Sequence, residues 1–446
     1  MTASFDPIAA FITDPAPPES ALRFAAILLL DTLAVAAAAQ PLEPGRIARD
    51  YAADFLAPGR PEHAAPLMFD GRLASIPGAA YAGATQIDNL DAHDGYNPTK
   101  GHIGCATVPA LFAFAAQRPD LTTREALSLM VMAYEVSARA AIALHATVSD
   151  YHTSGAWNAV GVAALGCRVL GATRAQLREA LGIAEFHGPR SQMMREIATP
   201  TMLHDGSGIG ALTGAMAALL ALRGFTGAPA ITLEDSQVAS YWADLGETWT
   251  IEANYIKPYP ICRWSHAPLD ALGALMRDHG LRRDDIARIE VRTFRESAAL
   301  YAGMPDTTGQ AQYSLAFALA TLLRHGTVGP EHVSGAALRD PDVADLLPRI
   351  AVTEDARHSD RFPAARFADV TLTLTDGRIL HSGDVHARGG PEAPLSDEEI
   401  AAKFHAYTLR VLGTARSEAI WTLRARMLEP GLPFSTLQEL VTPPPD

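Results

Sequence analysis

The chain has 446 residues, a formal net charge of -14, 19% charged residues, 48% hydrophobic residues and a 7% aromatic share. This acidity gives no long-range attraction to nucleic acid or an anionic membrane surface, so neither is an expected partner, although a local cationic pocket can still take an anionic substrate. The length exceeds what one hydrophobic core usually organises, and the lean toward alanine and leucine over aromatics points to helix.

The N-terminal MTASFDPIAAF lacks a basic start followed by an apolar run, so no secretory signal is expected. Residues 20–40, SALRFAAILLLDTLAVAAAAQ, predict a helix apolar on most faces that ends before PLEPG and belongs inside a helical domain. Its apolar part, 24–39, is short for a membrane span and carries Asp31. The segment 91–102, DAHDGYNPTKGH, then gathers Asp91, His93, Asp94, Tyr96, Lys100 and His102 between apolar stretches. A chain with so few charges has little reason to concentrate them beside its core unless they do chemistry.

Further helices are expected at 108–117, 124–144, 155–170, 174–185 and 209–223, separated by PDL, GATRAQ and FTGAP. Thr122 stands three residues before Glu125, the spacing of an N-terminal cap. After Lys257 the pattern changes. Ile289, Val291 and Thr293 alternate with polar neighbours, as do Val370, Leu372 and Leu374 before Asp376-Gly377, which predicts two strands and a tight hairpin. Residues 313–324 predict a helix between them, and 396–412 and 417–427 return to helix. The expected architecture is mainly α: a large, discontinuous all-helical domain from 1–264 and 396–446, and a smaller α+β lid domain at 265–395.

Four more spots could carry chemistry. In SDYHTSG, Tyr151 and His152 precede a small-residue helix whose first amides favour an anion. The stretch 185–208 holds Arg190, Arg195, His204 and Asp205; its Gly206-Ser207-Gly208 is half of a dinucleotide fingerprint but follows no expected strand. In KPYPICRWSH, prolines stiffen a segment carrying Lys257, Arg263 and His266, and arginine offers a planar fork to carboxylate oxygens. Tyr313 opens the lid helix. Read alone, each has a plain structural alternative: a solvated loop, a surface histidine, a proline-rich linker, a core tyrosine.

Cys105, Cys167 and Cys262 match neither a disulfide framework nor a zinc ribbon, which suits a reducing cytosol. No HExxH, paired CxxC or acidic calcium loop is present, so no metal is expected. Neither GxSxG nor Walker A occurs, which weakens hydrolase and phosphotransferase readings.

Taken together, DNLDAHDGYNPTKGHIGCATVPAL, YHTSGAWNAVGVAALGCRVLG, LHDGSGIGALTGAMAALLALRGFTGAP, IKPYPICRWSHAPLDA, QYSLAFALATLL and GGPEAPLSDEEIAAKF resemble, in order and over almost the whole chain, the MmgE/PrpD family, which includes 2-methylcitrate dehydratase, cis-aconitate decarboxylase and iminodisuccinate epimerase. The resemblance implies a large helical domain built from both chain ends, an α+β lid, a homodimer with a cleft between the domains, and catalysis without metal or organic cofactor. It also implies catalytic roles for Asp91, His102, His152, Lys257 and Tyr313, with His93, Lys100, Tyr151, His204, Arg263 and His266 as substrate-binding candidates.

Two departures stand out. Thr201 occupies the place of a lysine two residues before Leu203-His204 in the decarboxylase-type pattern, and Asp94-Gly95 replaces Asp-Thr, with His93 and Lys100 added. The expected chemistry is removal of a proton beside a carboxylate of a small di- or polycarboxylate, which requires a base near the carbon and cations where negative charge gathers. The departures favour epimerisation of a succinate-like substrate, as in iminodisuccinate epimerase. Dehydration, decarboxylation and a catalytically silent carboxylate binder are the alternatives.

Overall fold

The computed structural model describes residues 5–445; the first four residues of the stretch read for a secretory signal lie outside the described residues, and Asp6–Thr13 is already helical. The helical body contains α1 (Glu19–Ala39), α2 (Ile76–Asp88), α3 (Gly104–Ala115), α4 (Thr123–Thr147), α5 (Gly155–Val169), α6 (Arg174–His187) and α7 (Ser207–Leu222). Helix α4 starts where expected, with Thr122 accepting from the Glu125 amide at 3.2 Å, while the Glu125 carboxylate goes to Arg118.

Helix α7 packs against α5, α2 and α6, and small residues let these backbones approach. A Cβ on Gly210 would lie 2.6 Å from the Gly155 carbonyl oxygen, and one on Gly214 would meet Ala159 and Val162. The price of such glycines in a helix is backbone entropy, so they persist here because close packing requires them.

The α+β part follows with α8 (His266–His279), β1 (Ile286–Thr293), α9 (Leu315–His325), β2 (Ile350–Glu354), β3 (Phe367–Leu374), β4 (Ile379–His381) and β5 (Val385–His386). The sheet order is β2-β1-β3-β4, with β5 also on β3; β1 runs parallel to β2 and antiparallel to β3. Ile289 faces Leu372 and Val291 faces Val370, and α8 covers β3. The apolar side chains of this part and those of the helical body form one continuous cluster.

Three expectations shift. The turn after β3 is longer than a two-residue hairpin: Leu374 donates to the Arg378 carbonyl, and only Gly377, at φ 88°, adopts positive φ. Tyr313 does not open α9; it ends the short helix Thr308–Gln312, and Ser314 caps α9 by accepting from the Phe317 amide. Residues after 396 form α10 (Asp397–Thr422), interrupted at Gly413, which takes φ 71° and ψ 168°.

Helix α10 packs on α1, and their contact explains Asp31. Helices α1 and α4 are long and apolar enough to cross a membrane by length and composition, but each is largely buried against protein. Asp31 is ion-paired with Lys403 of α10 at 2.6 Å, and the same ammonium donates to the Ala92 carbonyl at 2.9 Å. Burial pushes the Asp31 carboxyl up and the Lys403 ammonium down, against their mutual attraction. Lys403→Met, which strands Asp31, is expected to lower unfolding free energy in urea by about 3–5 kcal/mol. Asp31→Leu/Lys403→Met should regain most of that loss; equal destabilisation of single and double variants would show that the pair does not set the cost.

Candidate active site

The loop after α2 is held from several sides. Lys257 donates to both the carbonyl oxygen of Asp91, at 2.9 Å, and its carboxylate. Lys403 takes the next carbonyl, Ala92, and Gln312 Nε2 donates to Asn89 O at 2.9 Å. Residues Gly95–Tyr96 then pair with Asn254–Tyr255, bringing the segment that precedes Lys257 alongside. Gly95 has a steric reason: a Cβ there would collide with the Tyr255 phenol and lie 2.9 Å from His102 Nδ1.

A narrow cavity of about 20 Å³ lies against this loop. Asp91, Lys100, His102, Tyr151, Lys257, Arg263 and Tyr313, all anticipated from sequence, line it, together with Asp205, Tyr255, Cys262 and Arg366. Among the described residues four non-glycines have positive φ, and Asp91 (53°), Lys100 (55°) and Asp205 (42°) are three of them. Left-handed backbone on residues with a Cβ costs on the order of 1–3 kcal/mol each and persists where surrounding contacts over-determine it. Its concentration around one cavity makes that cavity the candidate functional site.

His102 is the candidate base. Its Nδ1 lies 2.6 Å from the Asp94 carbonyl oxygen, which can only accept, so Nδ1 carries the proton and Nε2 keeps its lone pair. Burial and the Lys257 charge hold the ring neutral, at a pKa of about 3. Nε2 is 3.6 Å from Asp205 Oδ2. Ser154 fixes this arrangement: its Oγ accepts from the His102 amide and donates to Asp205 Oδ1, each at 2.9 Å.

Cations surround the base. For Lys257 the desolvation cost is outweighed by Asp91 and neighbouring groups, so its ammonium is held above the usual lysine range. Burial lifts the Asp91 carboxyl while Lys257 opposes the rise. The Arg263 guanidinium lies 4.2 Å from the Tyr255 ring centroid and donates to the carbonyls of Ala387 and Arg388; burial lowers its pKa to about 10. Arg366 enters from the α+β part, its Nη1 donating to Pro363 O at 2.8 Å. Lys100 sits 4.2 Å from the Tyr151 ring centroid, and the Tyr151 hydroxyl donates to the Lys100 carbonyl.

Four anticipated residues take other places. His204 lines a neighbouring cavity of about 670 Å³, its ring centroid 5.4 Å from that of Tyr313. His93 lies behind His102, ring edge to face at 4.4 Å, with Nε2 3.4 Å from Asp88 Oδ1. His266 turns Nε2 to the Ile261 carbonyl and shapes the connector instead of the cavity. His152 is absent from the cavity wall because its backbone bridges to Gln192 and its amide donates to His145 Nε2. Thr201 is exposed and accepts from the Leu203 amide, so no cation replaces the lysine of the related pattern there.

Among the described residues two groups have ligand atoms close enough to share an ion: Asp88, His93 and Cys105, and His358, Asp369 and Asp384. In the first, Cys105 donates to Ser207; in the second, Asp369 is already paired with Arg292, Arg357 and His358.

Comparison with known proteins covers most of the chain. The MmgE/PrpD N-terminal domain matches residues 8–244 and the MmgE/PrpD C-terminal domain residues 259–427. The cis-aconitate decarboxylase of Mus musculus is 23% identical over 391 residues, 82% of this chain and 76% of the relative. That of Homo sapiens is 22% identical over 364 residues, 77% and 74% of the two chains.

The buried neutral imidazole has a consequence for stability. With a folded-state pKa of about 3 against 6.5 unfolded, His102 contributes stability that is present above pH 6.5 and lost as pH falls toward 3. At pH 5 the unfolded chain gains about 2 kcal/mol from protonating this group alone. His102→Gln should therefore shrink the difference in unfolding free energy between pH 8 and pH 5 by about 2 kcal/mol; an unaltered difference would place the protonated ring in the folded protein.

Proposed function

The chain belongs to the MmgE/PrpD family, and from that premise we propose that it moves a proton at a carbon beside a carboxylate of a small dicarboxylate, with epimerisation as the outcome. The observation that carries this reading is the presence of two groups of opposite readiness on one cavity. His102 Nε2 has a free lone pair, and the Tyr313 hydroxyl keeps its proton because burial and nearby carboxylates raise its pKa well above the usual phenol range.

In this reading Lys257, Arg263, Arg366 and Lys100 receive the carboxylates, and His102 Nε2 accepts the α-proton. The enediolate gathers charge where the cations stand, and their attraction grows in the transition state. Tyr313 then delivers a proton to the carbon. A cavity of about 20 Å³ holds a single water, so admitting a dicarboxylate requires the wall carrying Tyr313 and Arg366 to separate from Lys257 and His102.

Substrate charge also arms the base. Burial is the largest cause of the low His102 pKa, and the Lys257 and Arg366 charges add to it; a bound dianion offsets those charges, which raises the imidazole toward a useful basicity. A second reading, decarboxylation, draws support from the two decarboxylase relatives matched over about three quarters of their length. It uses the same cations and Tyr313 as proton donor, with carbon dioxide as the leaving group in place of the proton. We place the enzyme in the cytosol as a homodimer, the state the family resemblance implies, and three buried free cysteines are consistent with that compartment.

Incubation of the protein with a panel of dicarboxylates in deuterated water, followed by proton NMR and polarimetry, tests the reaction. Loss of the α-proton signal with inversion is expected. Carbon dioxide release or a new vinylic proton would replace epimerisation by a lyase, and no change on any substrate would remove the proton-transfer reading. A separate NMR titration of the His102 ring should show its pKa rise from about 3 when an unreactive dicarboxylate binds; a ring that titrates identically with and without the dianion would disprove arming by substrate.

A further inference from the structure

Tyr313 links two cavities through its hydroxyl. It lines the narrow cavity with Asp91, His102 and Lys257, and its hydroxyl donates to Glu196 Oε1 at 2.5 Å. Glu196 lines the neighbouring cavity of about 670 Å³ and is partly exposed there, whereas Tyr313 is buried. The second Glu196 oxygen accepts from the Asp205 amide at 2.8 Å, which holds the carboxyl plane. One hydrogen bond therefore separates a closed reaction cavity from a wide one open to water.

Resting on the proton-transfer reading above, we propose that Glu196 resupplies Tyr313 with its proton, so that the reaction cavity exchanges protons with solvent through the Tyr313–Glu196 pair and the wide cavity. The balance is simple. The Tyr313 O–H bond breaks as a C–H bond forms at the substrate carbanion; the phenolate takes the proton of the Glu196 carboxylic acid; the Glu196 carboxylate takes one from water in the wide cavity, and the hydroxide left there is cancelled by the substrate proton that His102 releases to solvent when the cavity opens for product. Glu196 acts through Tyr313 and does not touch substrate.

The surroundings favour this direction of supply. Burial and the neighbouring charges of Asp205 and Asp88 lift the Glu196 carboxyl well above the usual range, which favours its acid form beside the Tyr313 hydroxyl. An ionised Glu196 would instead face the Tyr313 phenolate with a second negative charge. His204, on the same wall, is held neutral at about 3 by burial and the Lys257 charge, so it does not serve as the acid.

The test uses the full chain and the deuterium-exchange assay. Glu196→Gln keeps the volume and a hydrogen-bond acceptor but has no acidic proton, and should lower kcat about 10²-fold while KM changes less than about twofold. Glu196→Ala should lose as much, and formate, small enough to enter the wide cavity, should restore exchange in Glu196→Ala but not in Tyr313→Phe. Wild-type rate in Glu196→Gln overturns the relay, as does a Glu196→Ala deficit that formate leaves untouched while the thermal midpoint matches wild type. Absence of exchange in the wild type on every dicarboxylate would instead remove the proton-transfer reading and the relay with it.

Discussion

The structure depends on two ammonium groups buried against consecutive carbonyls. Lys257 binds Asp91 O and Lys403 binds Ala92 O, and each ammonium is also paired with an aspartate, Asp91 and Asp31 respectively. A buried ammonium without partners is strongly disfavoured, so each lysine restricts its surroundings to the arrangement that satisfies it. The two come from distant parts of the chain, one in the connector before α8 and one in α10. Between them they hold Asp91 in a left-handed conformation that its sequence alone would rarely adopt.

From that anchor the rest of the wall follows. The loop runs from Asp91 through the pairing with Asn254–Tyr255 to His102, whose ring is oriented by the Asp94 carbonyl. The loop thus supplies its own base and the acceptor that sets its tautomer. Desolvation acts on the site in two senses: it lowers the His102 pKa and raises those of the Asp205 and Glu196 carboxyls. Both shifts disfavour the charged form, while Lys257 keeps its ammonium beside Asp91.

Much of this was legible in the chain. The density of ionisable groups at 91–102 and the stiff cationic connector at 257–266 pointed to the cavity because both break the local apolar pattern. Periodicity found the long helices and the strand pair, since one face of each is buried. Arg366 was invisible: it follows Pro363 in a stretch without periodicity and reaches the cavity only through the path of the α+β part. Glu196 was passed over among better-known residue types, because its importance lies in a partner 117 positions away. His152 and His266 drew attention by type, yet a histidine near an active site can equally satisfy a backbone group, as His266 does with Ile261.

The Tyr255 phenol in the space beside Gly95 couples any larger side chain at position 95 to the ring. Gaining the larger side chain first would overlap the ring, and trimming the ring first would open a void under Arg263, which lies over its face. Neither single step is a smooth path. The two positions form a lock: a larger residue at position 95 needs a smaller one at position 255 or a shifted backbone, and either change made alone disturbs the heart of the site.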